Sequence, residues 1–370
     1  MWSRFKTFDP FLFLLPLSLG VVSCIFIYIL TIDTGGGLAL RQAQFTIAGL
    51  ILMFAASVID YRSLKAWRIW FYLVFVALLV AVIFFGTTVF GATSWIDVGP
   101  FQFQPGEIGK LVIIIFMAGT LQTKAKTVGR QAFLTAIGLS LVPVVMVLVQ
   151  PDLGTAMVTA VIVLVVSLHA KLTKLQRGVL IMGLVLSVGL IGASFKNIGP
   201  FGGLLKDYQK KRLTSFINPE DDKGGSGYNV YQSKITVGSG GLTGQGLGFG
   251  SQSQLNFLPV VHSDFIFAAI AEAWGLVGSY GIIGVFMFLI LRILNAAKIS
   301  GDEFGSLVAV GVAAMLLFQV LVNVGMNIGI MPVTGIPLPF LSYGGTAVIT
   351  YFLAMGIIQS VVIQSKRLTF

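Results

Sequence analysis

Residues 11–30 read FLFLLPLSLGVVSCIFIYIL, twenty positions without a charged side chain. At about 1.5 Å per residue such a run makes a helix about 30 Å long, the thickness of a bilayer's hydrocarbon core. Arg4 and Lys6 precede it, as in a secretory signal. The run is longer than the roughly 7–15 residues of a signal's apolar region, and no small-x-small cleavage site follows it, so the expectation is an uncleaved first membrane helix. Nine further stretches of this kind follow, at about 42–59, 68–90, 106–121, 132–150, 153–170, 176–195, 264–294, 305–330 and 344–364.

Composition agrees. Of 370 residues, 56% are hydrophobic and only 10% charged, against about 25% charged in an ordinary soluble domain. Mean hydropathy is +0.93. The soluble multidomain protein that this length alone would allow is excluded. The expectation is an all-α polytopic membrane protein of about ten transmembrane helices, forming one domain over 1–370, with 197–262 as a long extracytoplasmic loop between helices seven and eight.

Charge sets the orientation. The net charge of +10 comes from 24 Lys and Arg against 14 Asp and Glu. In a membrane protein this reads as a topology signal and an affinity for anionic lipid, not for nucleic acid. With a cytoplasmic N-terminus, fifteen of the 24 cations fall on one face, among them Arg62, Lys65, Arg68, Lys124, Lys126, Arg130, Lys171, Lys174 and Arg177. In its short loops the other face holds only Arg41. That bias places both termini in the cytoplasm.

The long loop opens on residues 204–217, with apolar side chains at 204, 205, 208, 213, 216 and 217 and Lys206, Lys210, Lys211 and Arg212 between them. The spacing predicts an amphipathic helix on the outer leaflet, ended by Pro219. The run Gly238–Gly250 has neither a GxGxxG register nor a following Lys-Ser/Thr, so it is not a nucleotide loop. Cys24 is the only cysteine, and His169 and His262 are the only histidines. No disulfide, thiolate metal site or histidine cluster follows from them.

Charges kept in or beside apolar helices cost several kcal/mol and so are candidates for function. Glu107 and Lys110, three apart at a helix start, share a face. They read either as a self-neutralising pair or as a phosphate-binding cation held by its carboxylate. Asp152, where a helix enters the membrane, reads as an N-cap. Arg41 reads as an interface anchor. Asp264, in Pro259-Val-Val-His-Ser-Asp-Phe-Ile-Phe-Ala268, stands where the basic loop re-enters the membrane. It reads as a cap or as a general base with restricted water access. Glu272, two turns on, falls on a similar face.

At these residues the chain resembles the SEDS family (shape, elongation, division and sporulation) over nearly its whole length. The resemblance is carried by Asp207-Tyr-Gln, Tyr231-Gln-Ser-Lys-Ile235, Ser251-Gln-Ser-Gln-Leu-Asn-Phe-Leu-Pro259, His262-Ser-Asp-Phe-Ile-Phe267 and Gly335-Ile-Pro-Leu-Pro-Phe-Leu-Ser-Tyr-Gly-Gly345. The Gln-Ser-Gln-Leu stretch favours the family's rod-elongation branch over its division branch. Two departures stand out. Gly106 occupies the serine position of the family's Pro-Ser-Glu-Ile-x-Lys motif, and Ala273 replaces the second glutamate of a Glu-Glu pair.

The resemblance implies a peptidoglycan glycosyltransferase that polymerises lipid II at the outer leaflet of the bacterial cytoplasmic membrane, with Asp264 matching the essential aspartate. A sugar hydroxyl is a poor nucleophile at neutral pH, and a base that takes its proton supplies about 10²–10⁴-fold in rate. The leaving diphosphate departs as a stable anion, so one carboxylate suffices where glycoside hydrolases use two. Arg41, Lys110, Lys210, Arg212 and Lys234 are candidates to steady it, with Glu107 or Asp152 orienting them; Glu272 is a candidate either to orient a further partner residue or to pair inside the bundle. A divalent cation, Mg or Mn, is an open alternative with no ligand set assigned. The expected partners are lipid II, the growing lipid-linked glycan, membrane lipids and a class B penicillin-binding protein. A lipid II flippase and a cell-wall scaffold are the competing readings.

Overall fold

The structure is a computed structural model that describes residues 8–32, 35–89, 92–99, 101–198, 200, 207–217, 225–255, 257–258 and 260–367. Arg4, Lys6 and residues 204–206 of the expected amphipathic helix lie outside them. The chain runs α1 (Phe11–Leu30), α2 (Gly37–Val58), α3 (Ser63–Phe85), a small sheet, α4 (Pro105–Leu121), α5 (Arg130–Val149), α6 (Leu153–His169) and α7 (Lys174–Phe195). Three shorter helices follow, α8 (Asp207–Ile217), α9 (Ser226–Ser239) and α10 (Ser251–Gln254). Last come α11 (Ile266–Ile299), α12 (Glu303–Asn327) and α13 (Gly345–Arg367).

Eight of these, α1, α2, α3, α5, α7, α11, α12 and α13, are long and apolar enough to cross a membrane. With the apolar 17-residue α6 and the 17-residue α4 between them, the fold is that of an all-α, multi-pass membrane protein. Helices α12 and α13 are the most enclosed of the spans and α7 the least.

The bundle has two distinct ends. At one, Gln104 donates to Asp152 (2.9 Å) and Gln254 reaches the carbonyl of Ile29 (3.5 Å). At the other, Arg62 pairs with Asp302 (2.9 Å), Lys171 with Glu303 (3.4 Å) and Arg292 with Asp9. Asp264 stands at the first end, away from the cation-rich connections.

Helix limits differ from the sequence expectation where the local chain dictates. The third span stops at Phe85, five residues early, because Gly86 and the β-favouring Thr87–Val89 begin a strand. Strands β1 (Thr87–Val89), β2 (Ala92–Val98) and β3 (Phe101–Phe103) form an antiparallel sheet in that order. Asp97 lies opposite Gln102, and Gly99 takes the positive φ (+61°) of the turn between them. The sheet delivers the chain to Pro105, the first residue of α4, where a proline's missing N–H costs nothing.

Helix α11 is two helices joined at a kink. Gly275 has φ +64° and ψ −162°, a region open essentially to glycine alone. Such a break exposes backbone groups that lipid cannot satisfy, at several kcal/mol each. The Gly-rich run supplies them. The N–H groups of Gln245 and Gly246 donate to the carbonyls of Glu272 and Ala273 (2.9 and 3.0 Å). In return Leu276 and Val277 donate to the carbonyls of Gly241 and Leu242 (2.9 and 3.2 Å). A Cβ on Gly240 would sit 2.0 Å from the Ala271 oxygen, and one on Gly244 2.2 Å from that of Ala273. The glycines are there for this close approach.

Candidate active site

A cavity of about 880 Å³ opens at the Asp264 end of the bundle. Its wall includes Asp264, Ser263 and His262 from the re-entry loop, Arg41 from α2, Arg212 from α8, and Glu107 and Asp152. Residues more than 200 positions apart thus share one chamber.

Asp264 lies just before α11, whose N-cap is Phe265. Its carboxylate accepts from Ser263 Oγ (3.2 Å). Burial pushes its pKa above the ordinary carboxylate value. The Ser263 hydrogen bond and the nearby Arg212 pull it down, and the Asp152 charge raises it again. Burial also lowers the pKa of His262, which favours the neutral imidazole.

The segment after α12 forms the opposite wall. Tyr343 N donates to the His262 carbonyl (2.9 Å), and Ser342 Oγ donates to that of Ser263 (2.6 Å). Ser342 Oγ also accepts from Leu338 N (2.8 Å). Gly335, at φ +73°, lines the wall beside the carboxylate: a Cβ there would be in ordinary contact, 3.7 Å from Asp264 Oδ2. Gln42 of α2 ties in α1 and this wall through Ser23 Oγ (2.9 Å) and the Ser342 carbonyl (3.3 Å).

Asp152 caps α6: its Oδ1 accepts from Thr155 N (3.0 Å), and its Oδ2 accepts from Gln104 (2.9 Å). Arg212 donates to the Thr334 carbonyl (3.1 Å), which anchors α8 over the cavity. Glu107 and Lys110 form a buried ion pair at 2.7 Å. Tyr351 OH lies 3.5 Å from Glu107 Oε2 and accepts from Gln319 (2.8 Å). Only Glu107 of the pair reaches the cavity wall.

Four expected substrate contacts lie elsewhere. Lys110 faces Glu107 and the Tyr351 ring, 5.9 Å from its centroid. Lys210 donates to Asn197 Oδ1 (2.6 Å). Lys234 is exposed and lies over Gly329, where a Cβ would meet its Cδ at 2.5 Å. Glu272 is wholly buried and accepts from the N–H groups of Gln252 (2.9 Å) and Ser253 (3.0 Å), capping α10. A sequence carries no sign of which way such a side chain turns.

Two residues that the sequence reading passed over hold the site together, Asn323 and Asn327 of α12. Both are wholly buried, and both donate to the carbonyl oxygen of Asp264, at 3.0 and 3.1 Å. A pair of amides four apart in an apolar helix was the available signal, since buried polar groups need partners. Among the described residues no group of three His, Cys, Asp or Glu converges as a metal cage. Such a cage is not the only way to hold Mg²⁺, which commonly takes one or two carboxylates plus the phosphates of a substrate. The cavity carboxylates fit that role only in part. Both oxygens of Asp152 are already hydrogen-bonded, and no step below passes through a metal.

Comparison with known proteins places this architecture. A family model described as "Cell cycle protein", spanning FtsW, RodA and SpoVE, matches residues 7–367. The chain is 37% identical over 361 residues to the peptidoglycan glycosyltransferase MrdB of Escherichia coli K12, covering 98% of this chain and 95% of that protein. It is 32% identical over 420 residues to the peptidoglycan glycosyltransferase RodA of Treponema pallidum, covering 96% and 97%. Among solved structures it is similar to a chain of a peptidoglycan synthase complex, with TM-score 0.78, 28% identity and 97% and 98% coverage. It is also similar to the rod-shape-determining protein RodA of Thermus thermophilus, with TM-score 0.70, 28% identity and 97% of each chain covered. With a family match across nearly its whole length and relatives above 30% identity, this chain belongs to the SEDS family, the FtsW/RodA/SpoVE cell-cycle proteins.

Proposed function

We propose that this chain is a peptidoglycan glycosyltransferase that polymerises lipid II into β-1,4 glycan strands for cell elongation, with Asp264 as the general base. The 4-hydroxyl of one lipid II attacks the anomeric carbon of the lipid-linked glycan. Asp264 takes the hydroxyl proton as the new bond forms, and undecaprenyl diphosphate leaves from the opposite face. Single displacement inverts an α-linked donor into a β-linked product. Arg41 and Arg212 approach the chamber from separate helices and balance the charge that builds on the diphosphate, commonly the larger part of such catalysis. Holding both lipid-anchored reactants in one membrane plane supplies much of the rest.

The observation that carries this reading is a desolvated carboxylate beside a guanidinium in a chamber of about 880 Å³, large enough for sugar groups. Purified protein with lipid II, read as glycan strands on a gel, tests it. Asp264→Asn should abolish polymer while leaving folding intact. Full-length glycan at the normal rate from that variant would overturn the reading. A flippase would make no polymer in either form, and a scaffold would keep its cellular role with the amide.

The same reading puts the protein in the bacterial cytoplasmic membrane, with both termini cytoplasmic and 197–262 outside. The separation of Arg62, Lys171 and Arg292 from the Asp264 end supports this orientation. A membrane-impermeant thiol reagent should label Asp97→Cys from outside and Lys65→Cys only after permeabilisation. A class B penicillin-binding protein is the fitting partner, because the similar solved chain comes from a peptidoglycan synthase complex.

A further inference from the structure

In an unbroken α-helix the N–H of residue 268 would donate to the carbonyl of residue 264. Here Ala268 N donates to the Phe265 carbonyl (3.0 Å) and to Asn327 Oδ1 (3.1 Å). The Asp264 carbonyl is turned onto Asn323 Nδ2 and Asn327 Nδ2. The Asn327 carboxamide thus stands in for a peptide group: it accepts the N–H that the helix would have used and donates to the carbonyl that the helix would have taken. Its position is fixed in turn, because Asn327 Nδ2 donates to the Asn323 carbonyl (2.8 Å) and Ser233 Oγ of α9 donates to the Asn327 carbonyl (2.9 Å). Asn323 Nδ2 also donates to the Ile336 carbonyl (2.9 Å), next to the Gly335 wall.

We propose that Asn323 and Asn327 are positioning residues that stop α11 short of Asp264 and so aim its carboxylate into the chamber. The proposal rests on Asp264 being the base. Without the two amides the Asp264 carbonyl is free to take the Ala268 N–H. Asp264 then joins the first turn of α11, and its Cβ follows the helical rotation of about 100° per residue. The carboxylate leaves Ser263 and its setting beside Arg212. Lipid II should still bind, because Arg41 and Arg212 reach the chamber from α2 and α8, elements apart from this turn, although the 335–345 segment is tied to it through His262, Ser263 and Asn323.

The test uses the full-length protein in lipid nanodiscs with fluorescent lipid II, comparing wild type, Asn327→Leu and Asn327→Ser. Leucine matches the shape of asparagine without its polar atoms. Serine leaves room for water and guards against a leucine variant that fails to fold. Expected is a fall in kcat of about 10–100-fold, the scale of a misplaced catalytic group, with KM within about threefold of wild type. The acid midpoint of the kcat profile should also move, which a purely structural role would not produce. Wild-type kcat with an unmoved midpoint overturns the proposal. So does a loss of kcat that only tracks loss of folded, lipid II-binding protein. Asp264→Asn is assayed beside them. If it is active, the base assignment itself fails. If it is inactive while both Asn327 variants keep wild-type kcat, only the positioning role fails.

Discussion

The N–H of Gly246 donates to the carbonyl oxygen of Ala273 at 3.0 Å. Twenty-seven residues separate the two, and the bond closes one side of the break in α11. With its three companions it lets a membrane helix stop and restart at Gly275 without leaving backbone groups bare to lipid. The half-helix that follows Asp264 is thereby held by the Gly-rich run. Glu272 fastens that run a second time, through the N-terminus of α10.

Gly244→Ala should therefore destabilise the fold by at least about 2 kcal/mol, the scale of a strained positive φ combined with a forced clash. The φ of +83° disfavours alanine, and its Cβ would press within 2.2 Å of the Ala273 oxygen. Gly238→Ala is the control, with no neighbour within 4 Å. Thermal unfolding in detergent should show a drop for the first and little change for the second.

Each carboxylate oxygen of Glu272 accepts one backbone N–H, and Glu272→Gln turns one of the two oxygens into an NH₂ that cannot accept. The loss resembles removal of a helix cap, about 1–2 kcal/mol. The melting temperature should fall, and hydrogen exchange should quicken at 251–254. The affinity for lipid II should stay close to wild type, because Glu272 does not line the chamber.

The kcat profile should carry an acid limb above the ordinary carboxylate range, because burial raises the pKa of Asp264. The working form is the ionised one, so activity is present above that pKa and lost as pH falls through it. Arg212 lowers this pKa and Asp152 raises it. Arg212→Gln should move the limb to higher pH and Asp152→Asn to lower pH. Limbs that stay in place in both variants would show that the titrating group is not Asp264.

Breaking the buried pair from one side leaves an uncompensated charge, at a cost of about 3–5 kcal/mol. Lys110→Met or Glu107→Gln alone should lower stability sharply. The double variant should recover part of the loss, because neither charge is then stranded. Thermal unfolding of the three variants measures the coupling.

Gly106 stands where the family motif has serine, and its neighbour supplies a reason. A Cβ at 106 would meet Thr155 Cγ2 at 2.9 Å. Gly106→Ser should be tolerated better with Thr155→Ser than alone, since removing that methyl opens the space. A double-mutant cycle on melting temperature reads the difference.

Much of this protein was legible in the order of its residues. Apolar runs of helical length give the membrane helices, and cations in short loops give the two ends. For Asp264 the local spacing leaves cap and base both open and only the family motif around it singles it out, while Asp152 is readable as the N-cap that it proves to be. These are properties of single residues and near neighbours, which hydropathy and local hydrogen bonding settle before the chain folds. The rest depends on partners far apart in the sequence. The three-residue spacing offers Lys110 a pair with Glu107 but does not decide between that pair and a turn into the chamber, and nothing in the Gly-rich run says that it completes the backbone of α11. Nothing in α12 says that two asparagines hold the carbonyl of Asp264. A buried polar group takes whichever partner the packed bundle brings within about 3 Å, and only the tertiary structure decides which one that is.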